Sequence, residues 1–206
     1  MKRLDKNEGI KIFNINWNAT TAGPSPFNNE RVEVFCLGCK KAALGNPCPG
    51  CFNSETWIDN AEYSLDPIEV AEEIDKKSDN KYITIGGGEP TDQEDAVYLL
   101  CKRLKELGKH IILYSWKNMK CLVNSKLLDV IDVAILGEYK QEERCYKEDA
   151  EDGLFNSVGS GNQKVIDIKC YREKGYFQSY RMDNIYSITL DAVSYTHLTL
   201  PTIRLV

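Results

Sequence analysis

Hydrophobic positions along the chain follow two periods that alternate with each other. Short runs of apolar, β-branched and aromatic residues recur as IKIFNINWN (Ile10–Asn18), RVEVFCLG (Arg31–Gly38), KYITIGG (Lys81–Gly87), HIILYSW (His110–Trp116), IDVAILG (Ile131–Gly137) and KVIDI (Lys164–Ile168). Runs of this length and composition, bounded by turn residues, predict strands. Between them lie segments of helical period. DPIEVAEEIDKK (Asp66–Lys77) places Val70, Ala71 and Ile74 on one face, with Asp66 as cap, Pro67 at the first helical position and Glu69 completing a capping-box pattern. TDQEDAVYLLCKRLKELG (Thr91–Gly108) carries an apolar stripe of Val97, Leu100, Cys101, Leu104 and Leu107, with Thr91 and Glu94 as a capping box and Gly108 as the stop. Met119, Leu122, Val123 and Leu127 predict a third helix. TTAGPSPFNNE reads as a loop, and the chain from Glu138 to Gln163 is charged and irregular.

Strands and helices in alternation argue βα units, a mostly parallel sheet and an α/β fold in one domain. Ligands of such sheets sit at the carboxyl ends of the strands. The loops after RVEVF, KYITI and HIIL all fall at that edge.

Composition narrows the function classes. The 206 residues carry 26 basic and 31 acidic side chains, a net charge of −5, and no basic tract stands out, so nucleic acid is not an expected partner. No apolar run reaches membrane-spanning length and the N-terminus lacks a signal-peptide core, so the expectation is a cytoplasmic protein without a membrane partner. The final segment changes the domain boundary. Val193–Thr202, read back as codons, resembles a transposon-type sequencing adapter, so residues 1–192 are expected to form the domain and 193–206 an adapter-derived tail.

The chemistry is concentrated in FCLGCKKAALGNPCPGCFNSETW (Phe35–Trp57), which holds four of the eight cysteines as two C-x2-C pairs. In a cytoplasmic chain of this size the cluster reads as metal-binding, not as disulfides. Four thiolates suit a closed tetrahedral zinc site, and they suit an iron–sulfur cluster equally well. Cys101, Cys121, Cys145 and Cys170 are scattered and read as core residues or inert thiols. GGGEP (Gly86–Pro90) closes a strand and opens a helix. It is neither a dinucleotide fingerprint nor a phosphate loop, and it reads as a tight turn or as backbone opened to a small ligand.

Taken in order, FCLGC…CPGCFNSETW, TIGGGEPTDQ, IDVAILGEY and GSGNQKVIDI resemble the radical S-adenosylmethionine activases, above all those that activate anaerobic ribonucleoside-triphosphate reductase. The resemblance covers roughly Ala22–Ile168. It implies an incomplete (β/α) barrel and a [4Fe–4S] cluster held by Cys39, Cys48 and Cys51. One iron is left open to S-adenosylmethionine, which is cleaved to a 5′-deoxyadenosyl radical. It further implies Gly87, Gly88 and Glu89 as backbone contacts to the methionine amino group. Phe52 and Asn53 are implied to lie against the adenine, or simply to pack the loop, and Ser115 to contact the cofactor or simply end its strand. Asn162 and Gln163 are weaker candidates. The implied partners are the large subunit of the reductase, whose glycine would become the radical, and a flavodoxin-type electron donor. Two departures stand out: the ligand spacing is C-x8-C-x2-C, as if KKAALGNP carried an insertion, and AGPSPFNNER is lengthened. The first leaves Cys36 as a candidate fourth ligand. The alternatives are another enzyme of the same chemistry, such as 7-carboxy-7-deazaguanine synthase, and a non-catalytic zinc or iron–sulfur binding module.

Overall fold

The structure is a computed structural model that describes residues 1–19, 31–145, 158–179 and 189–190. The loop at 20–30 and the tail from Val193 lie outside the described residues. One eight-stranded sheet organises the chain: β2 (Ile12–Ala19), β3 (Arg31–Cys36), β5 (Tyr82–Gly87), β6 (His110–Ser115), β7 (Val133–Leu136), β8 (Lys164–Asp167), β9 (Phe177–Ser179) and β10 (Thr189–Leu190), in the order β10-β9-β8-β7-β6-β5-β3-β2. A small pair, β1 (Arg3–Leu4) and β4 (Ser64–Leu65), stands apart from it. The helices are α1 (Lys40–Ala43), α2 (Pro67–Lys77), α3 (Glu94–Glu106), α4 (Met119–Leu122) and α5 (Ile168–Lys174).

The parallel block is β3, β5, β6 and β7, as the alternation of strands and helices requires. β2 and β8 flank it antiparallel, and β9 and β10 continue antiparallel beyond β8. The sheet is therefore a mixed α/β sheet with a parallel centre, and its outer strands β2 and β10 are not paired with each other. Residue pattern alone does not set strand direction; the connection does. Gln163 Nε2 donates to the Gly137 carbonyl at 2.9 Å, so β8 starts beside the end of β7 and has to run back along it.

Each parallel strand presents two faces by the period-two rule. On one, Val32, Val34, Ile83, Ile85, Ile111 and Leu113 pack under α2 and α3, which contribute Val70, Ala71, Ile74, Val97, Leu100 and Leu104. Burying each such side chain is worth about 1.5–3 kcal/mol, which makes this the main core. The opposite face has a smaller apolar cluster, Ile112, Val133, Ile135 and Val165. Its remaining positions mix polar side chains such as Glu33 and Thr84 with Phe35, Gly86 and Tyr114, and that is where the cavity lies.

The helix ends differ in detail from the sequence reading. Asp66 caps α2 by accepting from Ile68 N at 2.9 Å, but Glu69 turns to the backbone amide of Lys2 instead of closing a capping box. α3 starts at Glu94 after a 3-10 turn, Pro90–Gln93. Its expected box is replaced: Thr91 Oγ1 donates to Glu89, and Glu94 accepts from Ser125 Oγ at 2.7 Å. The third helix is one turn, Met119–Leu122, followed by a 3-10 turn at Lys126–Asp129. Among the described residues no helix is long and apolar enough to cross a membrane.

Glu89 ties the parallel block together at its carboxyl edge. The side chain is 0% exposed. Its Oε1 accepts from Thr91 N at 3.1 Å, Thr91 Oγ1 at 2.5 Å and Ser115 Oγ at 2.8 Å, and its Oε2 accepts from Trp116 N at 3.1 Å. The turn after β5 is thereby fastened to the end of β6. Burial pushes the Glu89 pKa up from the ordinary carboxylate range, against the opposing pull of these hydrogen bonds. Glu89→Ala strands these donors, and an orphaned buried donor costs roughly 1–3 kcal/mol, so urea denaturation is expected to show a loss of about 3 kcal/mol or more. With the folded pKa above the unfolded one, the folded state holds the proton to higher pH, and stability falls as pH rises through that window. Glu89→Gln is expected to flatten this slope, read as denaturation midpoints across pH.

Candidate metal centre

β3 delivers the cysteine loop. Strand alternation sends Cys36, with Val32 and Val34, into the helix-covered core, where it is 0% exposed and burial pushes its thiol up to about 12. The chain then turns at Gly38, and Cys39 becomes the extended cap residue of α1. The eight residues between Cys39 and Cys48 form this helical turn and its return. Lys40 N donates to Asp92 at 2.7 Å and Lys41 Nζ pairs with Glu138 at 2.9 Å, so the expanded spacing is held from two sides. Cys48 and Cys51 face each other across a tight turn, with Cys51 N donating to the Cys48 carbonyl at 3.2 Å.

The loop lies directly on the glycine turn. Gly88 N donates to the Cys36 carbonyl at 2.9 Å, and Glu89 N to the Gly38 carbonyl at 2.8 Å. A Cβ on Gly88 would stand 2.2 Å from the Gly38 oxygen. Gly87, at φ +102°, would bring its Cβ to 2.5 Å from the Cys36 nitrogen. The glycines are therefore required by contact between two backbones, and opening space for a ligand is a second consequence of the same small size.

Cys39, Cys48 and Cys51 line one cavity of about 490 Å³, together with Gly86, Gly87 and Gly88. Phe52, Asn53 and Ser115 also line it, while the buried Glu89 side chain stays within the wall. Phe52 stacks at 4.7 Å on Tyr139, joining the cysteine loop to the segment after β7. The Asn53 carbonyl accepts from Thr56 Oγ1 at 2.6 Å, and its side-chain amide makes no hydrogen bond among the described residues. Ser115 Oγ is committed to Glu89 and to Lys117 N. In GSGNQ, Asn162 Nδ2 holds the Glu138 carbonyl at 2.8 Å and Gln163 holds Gly137, so both stitch the turn; Gln163 also reaches the cavity.

Several lining residues were not named as site residues from the sequence, Cys145, Trp116, Glu33 and Tyr139 among them. Cys145, read from the sequence as a core residue or an inert thiol, is a further thiol on this cavity. Trp116 lines it as well, and its Nε1 is a buried donor with no acceptor among the described residues. Nothing in the local pattern marks either one, because both depend on how the loops after β6 and β7 fold back.

Burial raises the pKa of Cys39 and of Cys48, so an ion bound here has to displace their protons. Among the described residues no group of three or more His, Cys, Asp or Glu side chains stands close enough to hold a metal ion. The three thiols share a wall without converging. The donor set still fits an iron–sulfur cluster, which takes thiolates from a Cys-rich loop. Among curated proteins none matches the chain. Residues 29–166, more than half of the chain, match the 4Fe-4S single cluster domain family, and the protein belongs to that family.

Proposed function

We propose that this protein is a radical S-adenosylmethionine activase that generates a glycyl radical on anaerobic ribonucleoside-triphosphate reductase. The observation that carries the reading is the division of the four clustered cysteines. Cys39, Cys48 and Cys51 line the cavity, and Cys36 packs in the core behind β3. Three thiolates hold a [4Fe–4S] cluster and leave one iron without a protein ligand, where four would close the site. Cys39, Cys48 and Cys51 would hold the cluster, which when bound and reduced by the external electron donor would supply one-electron reductive cleavage of S-adenosylmethionine.

The chain's own residues position the ligand. Gly86, whose missing Cβ leaves open space, lets a ligand approach the backbone closely. Trp116 Nε1 offers a buried donor to a ligand acceptor, and the Asn53 amide is open to another. Phe52 and Tyr139 add aromatic surface to the cavity wall. The reductase large subunit and a flavodoxin-type donor complete the proposal as partners.

Cys39→Ala, Cys48→Ala and Cys51→Ala are each expected to lose most of the bound iron and all cleavage of S-adenosylmethionine. Cys36→Ala and Cys145→Ser are expected to retain the iron. Iron and sulfide content with visible spectra after anaerobic reconstitution checks this, and iron loss in Cys36→Ala alone would overturn the assignment. For the function itself, protein incubated anaerobically with reductant, S-adenosylmethionine and the reductase large subunit is expected to give a glycyl-radical signal in electron paramagnetic resonance. A protein that holds only zinc and cleaves no S-adenosylmethionine would be a binding module instead.

A further inference from the structure

The floor of the cavity carries chemistry that cluster and cofactor do not account for. On the cavity face of β3 stand Arg31, Glu33 and Phe35, and the register sets Glu33 beside Thr84 and Phe35 beside Gly86. A Cβ on Gly86 would lie 3.8 Å from that of Tyr114. Gly86 therefore leaves a slot with Phe35 on one side and Tyr114 on the other. Strands are about 4.8 Å apart, so the slot walls stand roughly 10 Å apart at their bases. Glu33, two residues back along β3, lies about 7 Å deeper than Phe35, away from the cysteine loop.

Glu33 is only partly committed to its neighbours, among which the Arg31 guanidinium attracts it from the same face. Its Oε2 receives Asn16 Nδ2 at 3.2 Å, and its Oε1 has no donor among the described residues. Arg31, 0% exposed on the same face, donates to Thr84 Oγ1 at 2.6 Å. A carboxylate is acceptor-only and calls for N–H or O–H groups. One that lines a cavity with an acceptor to spare is placed to receive them from a ligand.

The geometry points to Glu33 as a substrate-reading group, whose carboxylate receives backbone N–H groups of a glycine-bearing peptide segment seated in the slot over Gly86. Two aromatic side chains flank the slot, and it is narrow for a chain with bulky side chains. A flat peptide unit next to glycine, which has no Cβ, fits between them. The depth of Glu33 sets it apart from the rim groups that the proposed function gives to the cofactor, which leaves it to the substrate. The inference rests on the activase reading and names what that site recognises.

Glu33→Gln and Glu33→Leu test it, with the reductase large subunit and a synthetic peptide of its glycyl-radical segment as probes. The readouts are the KM for each probe and the glycyl radical formed per S-adenosylmethionine cleaved, with iron content as the check on the cluster. Glu33→Leu is expected to raise the KM about tenfold or more and lower the ratio in step, with Glu33→Gln intermediate, since a charge-assisted hydrogen bond is lost. Wild-type KM and ratio in Glu33→Leu would overturn the inference alone. Wild-type protein that forms no radical on the large subunit, yet turns over a free heterocyclic amine, would overturn both it and the activase reading. Gly86→Val fills the slot without touching Glu33 and is expected to raise the same KM. An unchanged KM there would also overturn the inference.

Discussion

The contact between two stretches of backbone, Cys36–Gly38 and Gly87–Glu89, is the constraint on which the rest of the site depends. Gly88 passes so close to the Gly38 carbonyl that no side chain can intervene. Two N–H groups of the turn then satisfy two carbonyls of the cysteine loop. Loops at a sheet edge usually owe their shape to their own turns and to solvent. Here one loop is templated by the next, so the direction in which Cys39 leaves β3 is set by β5. Glu89 extends the same logic one strand further, because its carboxylate binds donors from both the turn and the end of β6. These donors offset part of the cost of burying the carboxylate, and burial still holds its pKa above the ordinary range.

This arrangement explains how the expanded cysteine spacing is accommodated. Residues between Cys39 and Cys48 could have loosened the loop. They form instead a helical turn anchored by Asp92 on the β5 side and by Glu138 on the β7 side. Leu44 at its tip is 85% exposed, so the turn projects outward, away from the cavity. Cys39, Cys48 and Cys51 consequently share one wall although the chain between the first two is long.

Much of the parallel block was legible in the sequence, because buried strands and amphipathic helices each carry their own period. Val70, Ala71 and Ile74 of α2 and Val97, Leu100, Cys101 and Leu104 of α3 are buried as their spacing predicts. What the pattern could not hold was direction and distance. KVIDI looks like any buried strand, and only the Gln163–Gly137 hydrogen bond reveals that it runs antiparallel. Thr91 and Glu94 form a valid capping box on paper, yet the buried Glu89 competes for Thr91 and Ser125 for Glu94. α5 went unread because its short segment, Ile168–Lys174, has too few turns to establish a period. At the site, the cysteines and glycines announced themselves by type and spacing. Trp116, Cys145 and Glu33 did not, since each belongs to the cavity only through residues far away in the chain.

The two faces of the sheet also separate stability from recognition. On the face under α2 and α3, strand positions are almost uniformly aliphatic, and the free energy of folding is gathered there. That surplus lets the other face carry groups that would be expensive in a smaller core: Arg31 at 0% exposure, Glu33 with one donor, and a tyrosine whose hydroxyl burial keeps protonated. Period-two alternation underlies the separation. A residue can move from the core to the cavity only by a one-position slip of its strand. Cys36 and Phe35 show the consequence at its sharpest. They are adjacent in sequence, yet one packs in the hydrocarbon core and the other lines the cavity. The same rule that removes Cys36 from the cavity leaves three of the four clustered thiols there, beside Cys145 from the segment after β7.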